Sequence, residues 1–302
     1  KFGAIANAII LVVSIIAGAG WNFHRYGSKE LDKMLPDSLG EIKTITTEMT
    51  GHLPPIVKKW LHESGIIGNQ VVKTAHIEQV GEMRTAPEGK WMPVRAEQWF
   101  TTEDPGFLWL ASVKAAPGFT LSGRDRYYKG KGHMLIKLLS LITVADATGE
   151  KTDQGTLIRY LSEIIWFPSA ALNDYIQWEA LDSLTAKATM QYGNTSGSGI
   201  FRFDPEGRFR SFEAQRYYDR KEGATLETWY VEAEPEGHKN FSGIRVPATA
   251  EVTWKLEDGD FTWYKLEITD LKYNHSTSGN SRRTDLKKPG PYDPGFLFHS
   301  FS

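Results

Sequence analysis

The rhythm of apolar and polar positions changes three times along the chain. Phe2 to Trp21 is twenty residues without a charge, centred on Ile5, Ile9, Ile10, Leu11, Val12, Val13, Ile15 and Ile16. Twenty helical residues span about 30 Å, the hydrocarbon thickness of a bilayer. Trp21, Phe23 and Tyr26 follow where an interfacial aromatic belt would lie, with Arg25 and Lys29 behind them. Ala17-Gly18-Ala19 resembles a cleavage site, but the apolar run exceeds the core of about 7 to 15 residues usual for a signal peptide. Residues 1–26 are therefore predicted to be an uncleaved transmembrane anchor, with the membrane contacted through residues 2–21.

Residues 27–70 read as a polar, Thr-rich connector carrying one amphipathic helix over Leu53–Ser64. Pro54 and Pro55 suit its first positions, Ile56, Val57, Trp60 and Leu61 form its stripe, and Gly65 can stop it. From Val71 the texture becomes strand-like alternation. The runs are 71–84, 91–101, 106–114, 119–128, 130–138, 176–192, 198–204, 208–218, 225–233, 244–256 and 261–274. Asp104-Pro105-Gly106, Pro117-Gly118, Asp204-Pro205-Glu206-Gly207 and Asp258-Gly259-Asp260 supply turns between them. The fold class predicted for 71–274 is mainly β: an antiparallel meander curled into an open or half barrel. The stretches Lys129 to Gly132 and Gly193 to Gly199 read as bends between strands. One helix interrupts the meander over Gln154–Phe167, with Leu157, Ile158, Leu161, Ile164 and Ile165 on one face, Asp153 as its cap and Pro168 as its end. Such a helix is expected to bury its stripe in the concave side of the sheet, as a lid or plug. The tail 275–302 is turn-rich and ends in Phe296, Leu297, Phe298 and Phe301, expected to pack on the domain or the membrane surface.

Composition narrows the chemistry. With 35 basic and 37 acidic residues the net charge is −2, so no broad field steers nucleic acid. There is no cysteine, which removes disulfides, thiol nucleophiles and thiolate metal sites. The eight His residues show no metal-ligand spacing, and no cofactor-binding motif is present. Ten Trp, twelve Tyr and fifteen Phe suit either an aromatic-rich sheet or an aromatic-lined cavity.

Two polar clusters stand out. In Arg124-Asp125-Arg126-Tyr127-Tyr128, alternation puts Arg124 and Arg126 on one face and Asp125 on the other. The arginines could grip an anionic head group or pair with an acid on a neighbouring strand such as Glu97. Around the helix lie Asp146, Asp153, Arg159, Glu163, Trp166 and Trp178. A general-acid role for Glu163 competes there with a simple i, i+4 ion pair to Arg159. No catalytic residue is assigned, and the chain leans away from being an enzyme.

Three stretches carry a resemblance: Lys90-Trp91-Met92-Pro93 through Ala96-Glu97-Gln98 to Phe107-Leu108-Trp109, then Gly130 to Asp146 (GKGHMLIKLLSLITVAD), then Asp153 to Pro168 (DQGTLIRYLSEIIWFP). Together they resemble, over about residues 53–274, a bacterial family known only as a domain of unknown function, and that resemblance implies no activity. The closing pattern Gly243-Ile244-Arg245-Val246-Pro247, Trp254, Tyr264 and Glu267 to Asn274 is similar to the last strands of the lipoprotein-carrier half-barrel of bacterial envelopes. That likeness implies an extracytoplasmic domain that binds acyl chains, although an anchor and an aromatic tail set this chain apart from freely shuttling carriers.

The expected function is a membrane-tethered binding domain for a hydrophobic ligand: a lipid, an acyl chain or a lipoprotein. The candidate ligand-binding residues are Trp99, Trp109, Arg124, Arg126, Met134, Leu138, Leu161, Ile165, Trp166 and Trp178. The alternative is a subunit or assembly factor of a membrane complex, partnered by other membrane proteins. The expected location is the bacterial inner membrane with the domain in the periplasm. Only Lys1 precedes the span while Arg25, Lys29 and Lys33 follow it, a charge bias that taken alone points the other way. Because the chain opens on Lys1 rather than Met, that count is expected to be incomplete.

Overall fold

A computed structural model describes residues 2–234 and 236–275; the side chains of residues 2–6, 8, 9 and 12 lie outside the description. The predicted aromatic tail, with Phe296, Leu297, Phe298 and Phe301, also lies outside the described residues.

The chain opens with helix α1 (Phe2–Met34). The connector expected from residue 27 is thus helical as far as Met34. Phe23, Gly27, Glu30, Leu31 and Met34 recur at helical spacing and turn one face of its second half onto protein. Among the described residues, no helix is long and apolar enough to cross a membrane. Helix α2 (Pro55–Glu63) stands where Pro54 and Pro55 predict, burying Ile56, Val57, Trp60 and Leu61.

The β domain follows the meander closely. Its strands are β1 (Thr74–Met83), β2 (Met92–Thr101), β3 (Gly106–Ala116), β4 (Phe119–Tyr128), β5 (Lys131–Leu138) and β6 (Ile142–Ala147). After helix α3 (Glu150–Glu163) come β7 (Ile176–Ala180), β8 (Thr185–Tyr192), β9 (Thr195–Phe203), β10 (Phe209–Tyr218) and β11 (Thr225–Ala233). Last are β12 (His238–Phe241), β13 (Ile244–Pro247), β14 (Thr249–Leu256) and β15 (Gly259–Tyr273). Thirteen of them form one antiparallel half-barrel sheet in the order β6-β5-β4-β3-β2-β1-β15-β14-β11-β10-β9-β8-β7, and β12 pairs with β13 apart from it. The first and last strands of the meander, β1 and β15, pair in the middle, so its two halves are joined as one surface with β6 and β7 as free edges.

Several expectations are corrected. Strands β6 and β12 had no counterpart among the predicted runs, and the run 244–256 divides into β13, paired with β12, and β14 of the main sheet. The run 176–192 is two strands parted at residues 181–184, and Gly197 and Gly199 belong to β9 rather than to a loop. Gly199 has a packing reason: a Cβ there would stand 2.1 Å from the Phe212 ring. The bend at Lys129-Gly130 is as read, both residues having positive φ (52° and 74°) in a two-residue turn.

Helix α3 lies inside the curl, against β5, β9, β10, β4 and β8. Leu157, Ile158, Leu161, Ile164 and Ile165 are essentially without exposure, each burial worth about 1.5–3 kcal/mol. Tyr160 and Phe167 extend an aromatic stack through Phe100, Phe107 and Tyr127. The helix begins earlier than predicted. Gly149 is its cap, and Asp153 instead accepts hydrogen bonds from the Gly132 amide (2.8 Å) and Lys131 Nζ (2.8 Å) of β5. Its last turns tighten into 3₁₀ geometry at Ile164–Trp166 and Pro168–Leu172.

Candidate functional site

Pairing register divides the sheet into two faces, because directly opposed residues in an antiparallel pair share a side. One face carries Trp99, Leu108, Leu110, Arg124, Arg126 and His133, and α1 lies across it. The other carries Phe100, Phe107, Trp109, Asp125, Tyr127, Met134 and Leu138, and holds α3. The candidate residues therefore separate. Trp109, Met134, Leu138, Leu161, Ile165, Trp166 and Trp178 belong to the inner side. Trp99, Arg124 and Arg126 belong to the outer side and line no common cavity with them. Leu161, Ile165 and Trp166 are packed into the core, so α3 is a plug integral to the domain. Trp178 packs against Trp60 and Phe201 (ring centroids 6.2 and 5.0 Å) and donates to the Ala171 carbonyl (3.1 Å).

On the outer face, Glu30 of α1 receives both arginines. Arg124 Nε stands 2.9 Å from Glu30 Oε2 and Arg126 Nη1 2.6 Å from Oε1. Arg124 also donates to Tyr26 Oη (3.0 Å) and to the His133 carbonyl (2.9 Å), and its Nη2 lies 3.1 Å from His133 Nδ1. His133 Nε2 in turn meets Asp146 Oδ1 at 2.8 Å. Arg124 is wholly buried. The acid was expected on a neighbouring strand; it comes from a helix 94 residues earlier in the chain, while Glu97 stands 3.5 Å from His76. This is a latch that fixes α1 to β4.

Inside, a polar chain crosses the apolar floor. Arg159 Nε donates to Glu163 Oε1 (2.9 Å), the pair expected from their spacing, and its Nη1 donates to Asp125 Oδ2 (2.7 Å). Gln98 donates to Glu163 Oε2 (2.8 Å) and Gln79 to Gln98 Oε1 (3.2 Å). Trp109 Nε1 and Tyr264 Oη both donate to Gln79 Oε1, at 3.2 and 3.3 Å. Burial pushes the Glu163 carboxyl up, against the pull of Arg159 and Gln98. Burial also opposes the charge on Arg159, but Glu163 and Asp125 more than compensate and raise it. Asp146, which the sequence groups with Glu163 around the helix, lies instead on the outer face with Arg124, so the sheet separates it from Glu163.

Arg216 is the member that sequence reasoning missed. Two residues beyond Ala214 on β10, it faces inward and stacks on Trp229 (4.3 Å) and Trp254 (5.9 Å). It makes no hydrogen bond or ion pair among the described residues, and its buried Nε and the buried Trp229 Nε1 find no acceptor there. Burial first, and the like charge of Arg159 second, pull its guanidinium down to about 10. Its signal was a polar residue in an inward register position, as for Gln98 two before Phe100. Around Arg216 and toward the strand ends carrying Met83 and Met92, the inner face presents half-buried Trp109, Leu121, Met134, Leu138, Trp254 and Trp263. Elsewhere, a polar surface cleft of about 350 Å³ is lined by Asp174, Tyr175, Gln177, Thr189, Gln191, Tyr192 and Gly193. Among the described residues, no three His, Asp or Glu side chains are arranged to hold a metal ion.

The model of a family of unknown function, DUF6544, matches residues 43–266. No curated protein matches the chain. Among solved structures, the chain is similar to a Vibrio parahaemolyticus domain described as an outer membrane lipoprotein-sorting protein domain (TM-score 0.43, 12% identity, 75% of this chain and 94% of the other). It is also similar to a DUF1329 family protein from Desulfovibrio piger (TM-score 0.41, 10% identity, 77% and 94%). A third is a β-barrel-like DUF1849 protein from Brucella abortus (TM-score 0.29, 10% identity, 68% and 99%).

Proposed function

We propose that this chain, which belongs to the DUF6544 family, is a membrane-tethered binding domain for an acidic amphiphile such as a fatty acid or phospholipid. The observation that carries the reading is Arg216. It is a cation with no hydrogen bond or ion pair among the described residues, stacked on two indoles, on the inner face of the half-barrel sheet. A carboxylate or phosphate would supply the acceptor that Arg216 Nε and Trp229 Nε1 lack, in a setting where charge-assisted hydrogen bonds are strong. The acyl chain would run over Trp109, Leu121, Met134, Leu138 and Trp254. An apolar surface with a few converging polar groups is the usual form of a small-molecule site.

Tethering in this reading uses Phe2–Trp21. The uncharged run has bilayer length, and Ile10, Leu11, Val13 and Ile15 within it are exposed. Trp21 and Arg25, stacked at 5.2 Å, suit the interface. The domain is taken to face the periplasm of a bacterial inner membrane.

The test is native mass spectrometry, with lipid extraction, of the full chain in mild detergent. A stoichiometric acidic lipid on the wild type that is lost in Arg216→Leu and Trp254→Ala is the expected result. Ligand-free wild-type protein that instead carries partner proteins in fixed ratio would move the assignment to a subunit or assembly factor.

A further inference from the structure

The turn between β5 and β6, three residues long, breaks the usual chemistry of a tight hairpin. Leu139 and Ser140 both have positive φ (52° and 59°), a pairing that normally selects Asn-Gly because a larger side chain is strained there. At its end and beyond it, Leu141, Ile142 and Val144 stand in solvent, Ile142 62% and Val144 60% exposed. All this lies on an edge strand, where natural sheets favour charges over bare aliphatics. The turn is tied to β4 by Ser140 Oγ with Ser122 Oγ (2.7 Å) and by the Leu139 amide donating to the Thr120 carbonyl (2.7 Å), but these bonds give its bare apolar tip no purpose.

Its position does suggest one. Helix α1 is continuous for 33 residues, about 50 Å at ~1.5 Å per residue. Its C-terminal part lies along β3 and β4, with Lys33 O bonded to Tyr128 and Gly27 pressed so closely that a Cβ would stand 2.7 Å from Leu110. Followed backwards, it reaches the β5–β6 turn at Gly20, where a Cβ would stand 4.0 Å from Ser140 Oγ. Beside that point sits exposed Trp21, and beyond it begins the exposed aliphatic stretch. The β3–β4 turn is at the same end of the sheet, since Leu121 pairs with Leu138, and it carries Phe119, 51% exposed. Exposed apolar side chains from a helix and two hairpins thus gather at one level, and that level is where α1 changes from mixed to wholly uncharged sequence.

We propose that the β5–β6 tip, Leu139 to Val144, with Phe119 beside it, is a second membrane contact that enters the interfacial layer of the bilayer crossed by α1. The proposal rests on the anchoring role of Phe2–Trp21. The Glu30 latch makes α1 and the sheet one body, so the two contacts would hold the domain at a fixed tilt. The strand ends bearing Met83, Met92, Phe119 and Leu138 would then turn toward the lipid, the route by which an amphiphile would reach the inner face. The occupant is lipid because the patch is continuous with a segment of bilayer length and carries no charge from Leu138 to Ala145.

Because the chain has no cysteine, single labels are clean. The full chain with Ile142→Cys, Val144→Cys, Val13→Cys or Leu181→Cys would carry an environment-sensitive fluorophore. Each would be reconstituted in phosphatidylethanolamine–phosphatidylglycerol vesicles containing lipid spin-labelled near the head group or deep in the chain. Labels at 142 and 144 are expected to be blue-shifted and quenched by the shallow spin label. The label at 13 should be quenched by the deep one, and the label at 181, exposed at the opposite strand ends, by aqueous iodide alone. Labels at 142 and 144 that behave like 181 while 13 is quenched by lipid would overturn the second contact and leave the anchor standing. Protection of 142 from iodide without lipid quenching would mean that protein covers the tip, and would also overturn it. Iodide quenching at 13 would overturn the anchor itself.

Discussion

The two faces of the sheet hold arginines in opposite circumstances. Outside, Arg124 and Arg126 converge on Glu30, and Tyr26 and His133 bond the rest of the Arg124 guanidinium. Inside, Arg159 is satisfied by Asp125 and Glu163, but Arg216 next to it feels those carboxylates only at longer range and, among the described residues, stacks on aromatic faces with no ion pair. A buried charge is tolerated when the protein supplies its partners and otherwise costs several kcal/mol. The outer cluster and Arg159 therefore read as architecture. Arg216 reads as a position whose partner comes from elsewhere.

Substitutions can break this comparison. The largest loss is expected for Arg159→Met, which leaves Asp125 and Glu163 buried without their cation. About 3–5 kcal/mol should disappear from the unfolding free energy in urea. Glu30→Ala follows, since Arg124 keeps its place under α1 with no carboxylate. A loss of about 2–4 kcal/mol is expected, with hydrogen exchange accelerating in residues 23–34 before the sheet is affected. Equal protection of α1 in wild type and variant would show that apolar packing by Phe23 and Met34 suffices as the latch. Arg216→Leu should behave oppositely. Removing a buried cation with no ion-pair partner should leave stability unchanged or raise it, by up to about 4 kcal/mol, while affinity for an acidic amphiphile falls tenfold or more and affinity for a neutral one is unchanged. A stability loss as large as that of Arg159→Met would return Arg216 to the architecture.

The smallest effect concerns pH. Burial, and then the cations Arg245 and Arg208, hold His238 down at about 4, and its ring nitrogens are buried without partners among the described residues. The unfolded chain binds this proton near pH 6.5 and the folded one only near 4. Stability should therefore be full above about 6.5 and decline as pH falls toward 4, by on the order of 1–2 kcal/mol after solvent screening. In His238→Gln that portion of the acid slope should flatten. An unchanged slope would assign it to carboxylates.

Much of this was legible along the chain, for a physical reason. Period-two alternation with turn residues reports which backbone is extended, and it located most strands from Thr74 to Tyr273 within a few residues. Period-3.6 stripes did the same for α2 and for the buried side of α3. Strand β6 escaped because Leu138 to Val144 is almost uniformly apolar and has no period. The early start of α3 escaped because Asp153, a good cap by type, is bonded to β5 instead.

Other features could not be read locally. Alternation assigns Arg124 and Asp125 to opposite faces of a strand but does not say which face is concave. That choice is made only when β1 pairs with β15 and joins the two halves into one curl. It sends Trp99, Arg124 and Arg126 under α1 and Trp109 and Met134 toward α3. Contacts such as Glu30 with Arg124 span 94 residues, and no spacing rule reaches that far. The isolation of Arg216 is less local still, since lacking a partner is a property of everything packed around a side chain. The sequence by itself determined the strands, the helices and the uncharged N-terminal run, because each depends on neighbours a few residues away. Only the tertiary structure decided which polar groups meet, which are left over, and where the exposed apolar tip stands relative to the helix beside it.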